Sequence, residues 1–222
     1  MAGIPNNFLT ATPSIASYDY FDLASGIGYK RFYGIVADTS TGKVYRLDQN
    51  ITDVTGRVSA TTDITNTVYY AHTDLDFDLT FTKYFTVGGE GKLYLTIQTA
   101  GAGVGQNQAA AYIVATIYHV TAGGTETSLG TAQSQEYNTN IVAGISRRYL
   151  IPITITKKNF IPTDRIRVNV IAMCKYIADG AGGVKTFKIY YDPTNLLTPA
   201  VDADGVAGDT SLIFDMPFYI DL

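Results

Sequence analysis

Histidine and cysteine supply many catalytic and metal-binding side chains, and this chain has few of either. His72 and His119 are its two histidines, and neither has a partner at the spacing of a zinc site. No G-x-S-x-G segment indicates a serine nucleophile. Cys174, the single cysteine, alternates with Val170 and Ala172, which predicts a small core residue. We therefore predict that the protein is not an enzyme and has no catalytic residues and no cofactor.

Carboxylates are the other candidates for chemistry. Asp74, Asp76 and Asp78 occupy alternate positions and would share one face of a strand. Such a row suits a calcium site, half of a carboxylate pair for glycoside hydrolysis, or a solvated polar face, which is the commonest case. The loop at 202–209, DADGVAGD, resembles the start of a calcium loop but lacks the full motif and its distal glutamate. We predict no metal site.

The clearest structural pattern is at residues 75–99, LDFDLTFTKYFTVGGEGKLYLTIQT. Apolar side chains alternate with polar ones from Leu75 to Val87, and Lys83 alone breaks the series. A period of two predicts a long strand with one buried face. The glycine-rich stretch at 88–91 and a second alternating run at 92–99 then predict a β-hairpin.

Further strand patterns recur along the chain, and no stretch shows helical periodicity. They fall at 28–48 (a hairpin), 111–120, 125–133, 148–156, 166–174, 185–191 and 212–222. Pro152 lacks an amide donor, so the strand that contains it should be an edge or carry a bulge. About eight strands follow residue 66, a number typical of a jelly roll. We predict an all-β fold, a two-sheet antiparallel β-sandwich of the jelly-roll kind.

Composition excludes several classes of function. The net charge of −4 and pI near 5.0 argue against nucleic-acid binding, which requires a basic surface. No signal-peptide pattern and no membrane-spanning run are evident. Charged residues are only 16% of the chain, whereas it has 17 tyrosines and 10 phenylalanines. Tyrosine is enriched at protein interfaces and also favours strands, and composition alone does not separate these two explanations.

The N-terminal part differs from the rest. Residues 1–27 lack periodicity but contain prolines and aromatics, and disordered segments are poor in aromatics. We interpret them as an extended arm, followed by the hairpin, and we divide the chain into residues 1–65 (arm and hairpin) and 66–222 (β-sandwich). The predicted partner-binding residues are Tyr18, Tyr20, Phe21, Tyr29, Arg31, Phe32 and Tyr33. Two small basic spots, Arg147-Arg148 and Arg165/Arg167, are interpreted as donors of salt bridges between subunits.

The segments FTVGGEGKLYLTI, ATIYHVTAGGTET, FIPTDRIRVNV and SLIFDMPFYIDL resemble jelly-roll virion proteins of tailed bacteriophages, including capsid decoration and head- or tail-associated proteins. This resemblance covers residues 66–222 and implies no catalytic residues. It implies a virion protein, assembled in the host cytoplasm, that binds the major capsid protein or other virion proteins. We expect a homo-oligomer on the particle, with no nucleic-acid or membrane partner.

Two functions from different classes follow. The first is a capsid decoration (cement) protein that stabilises a phage head through protein–protein contacts. The alternative is a carbohydrate- or receptor-binding module of a tail or head fibre. A glycoside hydrolase is the third and least supported reading, because no second carboxylate is evident on a facing strand.

Overall fold

The computed structural model describes residues 26–38, 44–49, 62–64, 66–101, 108–140, 145–177, 185–190 and 212–219. These residues form twelve β-strands and contain no helix. The strands are β1 Ile27–Asp38, β2 Val44–Asp48, β3 Thr62–Asp63, β4 Tyr70–Thr80, β5 Phe85–Gly101, β6 Gln108–Val120, β7 Glu126–Gln133, β8 Tyr137–Asn140, β9 Ile145–Phe160, β10 Arg165–Ile177, β11 Lys185–Tyr190 and β12 Ile213–Tyr219.

The strands pair in the order β3-β11-β5-β12-β1-β2-β4-β10-β6-β7, with β9 added to β5 and β8 added to β6. All pairings are antiparallel except β2 with β4, which meet in parallel at a single position, Arg46 opposite Asp78. The weak β2–β4 junction divides this path into a layer around β5, β12 and β1 and a layer of β4, β10, β6 and β7. The predicted all-β sandwich is confirmed.

One hydrophobic core lies between the layers. Alternate side chains of each strand point inward, as the period of two requires. The largest fully buried side chains are Phe77, Phe160, Phe187, Phe214, Ile35, Leu93, Leu95, Ile97, Ile113 and Ile117. Because both layers contribute to this core, the outward faces of the two layers are the surfaces available for function.

The predicted hairpin at 75–99 is wrong. The chain leaves β4 at Thr80 and enters β5 at Phe85, so the connection falls near Lys83, where the alternation breaks. The glycines at 88–91 lie inside the 17-residue strand β5. β4 pairs with β10 and β2, whereas β5 pairs with β9, β11 and β12.

The glycines are needed for close approach rather than for a turn. A Cβ on Gly88 would lie 2.9 Å from Lys157 Cα, and one on Gly91 would lie 2.9 Å from Ile155 Cδ1. Gly89 has φ +112° at a bulge, where the register with β9 shifts. A run of glycine inside a strand thus marks a bulge and a tight contact.

β6 is a central strand, between β10 and β7. Two strand predictions are confirmed. Among the described residues, the strand with Pro152 pairs with β5 alone and is an edge strand. The 28–48 hairpin forms as β1 and β2, and β1 also pairs with β12 near the C-terminus. The strands of this hairpin therefore belong to the same sheet as residues beyond 66, and Phe32 and Leu47 lie in the common core.

Candidate interaction face

The outward face of β1, β12, β5 and β9 carries tyrosines and basic residues. On β1, Phe32 points into the core, so its neighbours Arg31 and Tyr33 point outward. Strand pairing places Tyr33 opposite Ile213, Ile213 opposite Tyr94, and Tyr94 opposite Leu150, in one row across four strands. We call this surface the aromatic–basic face, which comprises Tyr29, Arg31, Tyr33, Lys92, Tyr94, Arg148, Leu150, Asp215 and Tyr219.

Cations lie over rings on this face. Lys92 Nζ is 5.5 Å from the centroid of the Tyr29 ring, and Lys157 Nζ is 4.0 Å from that of Tyr219. The Arg148 guanidinium is 5.8 Å from the ring of Tyr94. Such pairs are worth about 0.5–1 kcal/mol at exposed sites. They restrict side chains that would otherwise lose rotamer entropy on binding a partner.

Arg31 forms a bidentate ion pair with Asp215 across β1 and β12. Its Nε and Nη2 donate to Asp215 Oδ1 and Oδ2 at 2.7 and 2.8 Å. This hydrogen bonding to Asp215 raises the pKa of Arg31 above its usual value. The fork geometry orients the guanidinium plane, which leaves an exposed, flat cationic group on the face.

The predicted partner-binding residues separate into three groups. Tyr29, Arg31 and Tyr33 lie together on the aromatic–basic face. Phe32 does not join them: it is 3% exposed, because on a strand it must point opposite to its neighbours. Tyr18, Tyr20 and Phe21 of the proposed arm lie outside the described residues.

Sequence reasoning missed the residues that β5, β9 and β12 contribute. Lys92 and Tyr94 alternate with the core residues Leu93 and Leu95, so their outward orientation was predictable from the sequence. Their proximity to Tyr29 was not, because it depends on β12 pairing between β1 and β5.

The opposite layer has a different outward surface, the acidic face, formed by Asp74, Asp76, Asp78, Glu126, Arg165, Arg167 and Asn169. Arg167 is central: its Nε donates to Asp78 Oδ1 at 2.7 Å and its Nη2 to Asp78 Oδ2 at 2.9 Å. Its Nη1 reaches Asp76 Oδ2 at 3.0 Å and Glu126 Oε1 at 2.6 Å. Hydrogen bonding to Asp78 raises the pKa of Arg167.

Neighbouring groups complete the network. Arg165 Nη1 donates to Asp78 Oδ2 at 3.0 Å. The Asn169 amide donates to Asp76 Oδ1 at 2.8 Å and to Asp74 Oδ1 at 2.5 Å. The aspartates are thus bound by arginine and asparagine of the same chain.

These contacts correct the interpretation of Arg165 and Arg167 as donors between subunits, because both bind aspartates on the neighbouring strand of their own chain. No group of three or more histidine, cysteine or acidic residues suited to a metal occurs in the part of the chain that the structure describes. The calcium-like loop at 202–209 lies outside that part.

His119 and Asp164 form a buried pair. His119 Nε2 and Asp164 Oδ2 are 2.8 Å apart, and each side chain is 7% exposed. The hydrogen bond to His119 lowers the pKa of Asp164, whose Oδ2 also accepts from the Ile161 amide at 3.2 Å. The pair joins the end of β6 to the β9–β10 turn. This geometry is that of a structural imidazole.

Cys174 is fully buried in the core, as predicted. Desolvation raises the pKa of its thiol to about 12. A thiol that stays protonated is a poor nucleophile.

A pocket of about 400 Å³ opens at one end of the sandwich, between β1, β2 and the β4–β5 connection. Half of its twelve lining residues are apolar, and Lys30 and Lys83 are among the polar ones. The part of the chain that the structure describes contains no helix long and apolar enough to cross a membrane.

No family model matches this chain, and no curated protein sequence does. Solved structures do match. An aminopeptidase from a marine sediment archaeon, Thaumarchaeota archaeon, aligns with 88% of this chain and 37% of its own at 12% identity and TM-score 0.53. An alpha-amino acid ester hydrolase aligns with 86% of this chain and 36% of its own at 12% identity and TM-score 0.50. A structure of infectious bursal disease virus, Gx strain, aligns at 11% identity and TM-score 0.24, covering 87% of this chain and 43% of its own, which supports no argument.

The chain spans just over a third of the length of these two hydrolases. Their match overturns the prediction that this protein is not an enzyme, because the fold is one that hydrolases contain. At 12% identity the likeness shows the fold alone, and it transfers no catalytic residue.

Proposed function

We propose that this chain is a structural component of a virus particle, a capsid decoration protein that docks through its aromatic–basic face. The observation that carries the proposal is the cluster of tyrosine and arginine side chains on the outward face of β1, β12, β5 and β9: Tyr29, Arg31, Tyr33, Tyr94, Arg148 and Tyr219. Tyrosine and arginine dominate the energetic centres of protein interfaces. Here they project from a sheet, so little backbone ordering is required on binding.

The choice of this face over the acidic face rests on desolvation. Asp76, Asp78 and Arg167 already satisfy one another, and a partner that covers them gains few new hydrogen bonds. Tyrosine rings gain from burial while their hydroxyl groups keep a polar contact. Leu150, 53% exposed on the edge strand, adds apolar surface beside Tyr94.

The test is binding to particles of the virus that encodes this chain, prepared without the protein. Tyr29→Ala and Tyr94→Ala together should weaken binding by about 100-fold or more, since a truncation that costs about 1.4 kcal/mol weakens binding tenfold and hot-spot residues cost at least that much. Tyr118→Ala, on the outward side of β6 in the other layer, is the matched control and should bind as the wild type does. Equal binding by the double variant, with an intact fold, would show that this face is not the attachment site.

A second candidate is favoured by the structural matches. The chain then serves as the β-sandwich unit of a hydrolase, with the aromatic–basic face packed against a catalytic unit. Purified protein should then release product from aminoacyl p-nitroanilides or amino acid esters, alone or when combined with that unit. Activity that co-purifies with the chain would favour this candidate, whereas particle binding without turnover would favour decoration. Binding to sugars on a glycan array would instead support the alternative of a carbohydrate-binding module.

A further inference from the structure

The pocket exists because β2 and β4 are joined at only one position. Both strands end two residues beyond Arg46 opposite Asp78, β2 at Asp48 and β4 at Thr80. Among the described residues, no further pairing joins the two strands there. Core side chains such as Phe32 and Met216 therefore contribute to the lining of a pocket of about 400 Å³ at this end.

The apolar half of the pocket's lining comes from core and near-core side chains. Phe81 and Phe85 are stacked, with centroids 5.3 Å apart and planes inclined by 22°. Phe32 and Met216 belong to the buried core and also line the pocket. Small-molecule sites are concave spaces of a few hundred cubic ångströms that combine apolar walls with polar groups, and this pocket has that volume and both kinds of side chain.

The charge at the opening is positive. Lys30 and Lys83 line the pocket, and neither forms an ion pair with any residue that the structure describes. Lys30 Nζ lies 5.7 Å from the centroid of the Phe85 ring, so one ammonium group is already held above the apolar wall. Asp48, the acidic lining residue, is engaged by Arg46 at 3.2 Å. Two lysines are thus available to an anion.

We propose that this pocket binds a small amphiphilic organic acid, with its ring or short chain against Phe81 and Phe85 and its acid group between Lys30 and Lys83. Burial of the apolar body supplies affinity, and the two ammonium groups select the anion. This site is separate from the aromatic–basic face, and it does not depend on the proposed function.

Two fluorescent probes test the proposal on the full chain, which has no tryptophan to interfere. One is 8-anilinonaphthalene-1-sulfonate, an aromatic acid, and the other is N-phenyl-1-naphthylamine, which has the same rings without the charge. Lys30→Met and Lys83→Met should each raise the Kd of the sulfonate about threefold to fivefold and leave that of the uncharged probe unchanged. Lys175→Met, at the other end of β10, is the control and should alter neither Kd.

Leu79→Trp locates the site, because Leu79 lines the pocket from the inward side of β4 and an indole there would occupy more of its space. It should abolish binding of both probes, with urea unfolding used to confirm that the variant is folded. Sulfonate binding that survives Leu79→Trp, or lysine variants that affect both probes equally or neither, would overturn the proposal.

Discussion

Replacing Arg167 with methionine tests whether the acidic face is held together by one side chain. Arg167 makes four hydrogen bonds to three carboxylates, and its side chain is only 19% exposed. Methionine keeps the length of the stem but leaves Asp76, Asp78 and Glu126 without their shared cation. The variant should therefore be less stable than the wild type.

The ion pairs of Arg167 contribute unequally to the stability of the fold. The bidentate bond to Asp78 joins two side chains that are each 19% exposed, and hydrogen bonds to such charged groups are worth roughly 1.5–3 kcal/mol. Asp76 and Glu126 are 43% and 42% exposed, and pairs of that kind contribute about 0.2–1 kcal/mol each. We expect Arg167→Met to lower the free energy of unfolding by about 3 kcal/mol, because packing of the methionine side chain offsets part of the loss of the ion pairs with the three carboxylates.

Urea unfolding followed by tyrosine fluorescence measures the difference, with Arg46→Met as the matched control. Arg46 makes one pair with Asp48 at 3.2 Å and is 47% exposed, so its loss should cost about 1 kcal/mol at most. The difference in unfolding free energy between Arg167→Met and the wild type should also decrease in about 1 M salt, where charges are screened within roughly 3 Å. If the two variants are equally stable, the network does not stabilise the fold and the reasoning is wrong.

Three further predictions concern packing and titration. Gly130→Ala should lose about 1–3 kcal/mol of stability, because its Cβ would overlap a carbonyl oxygen of β9. Gly123→Ala should be nearly neutral, because its Cβ would make only an ordinary contact, 3.8 Å from Thr121 Oγ1, and urea midpoints distinguish the two variants. The Cys174 thiol, its pKa raised to about 12 by burial, should not react with a disulfide reagent at pH 8 until urea unfolds the protein, and labelling of the native state would contradict this. Because His119 lowers the pKa of Asp164 below 3.8, the pair stabilises the fold above that pH and ceases to do so as the pH falls through the folded-state pKa. Asp164→Asn should therefore make the free energy of unfolding less dependent on pH in the acid range. An unchanged pH dependence would refute the coupling between this pKa and stability.

Strand identity was largely predictable because a half-buried strand must alternate. Ile113, Ile117 and Phe214 lie within the strand patterns predicted at 111–120 and 212–222, and all three are fully buried. The same parity rule would have assigned Phe32 to the interior once Tyr29, Arg31 and Tyr33 were taken as surface residues. Phe32 was included among the predicted partner-binding residues because a continuous run of aromatic and basic residues was treated as one surface.

The glycines of β5 could not be interpreted locally. Gly88 and Gly91 have the composition of a turn, but their role depends on Lys157 and Ile155, more than sixty residues away in the chain. Only the paired strands show that a side chain would not fit. The actual connection, near Lys83, was marked merely by one break in the alternation.

By itself, the sequence determined the all-β class, most strand positions and the buried side of each strand, since these depend on short-range periodicity and solvent exclusion. Tertiary structure alone decided which outward side chains meet. Tyr29 lies beside Lys92 because β12 pairs between β1 and β5, and Asp78 is bound by Arg167 because β4 pairs with β10. Pairing between distant strands is selected by the packing of the whole core, so a candidate surface assembled from four strands is visible only after the chain has folded.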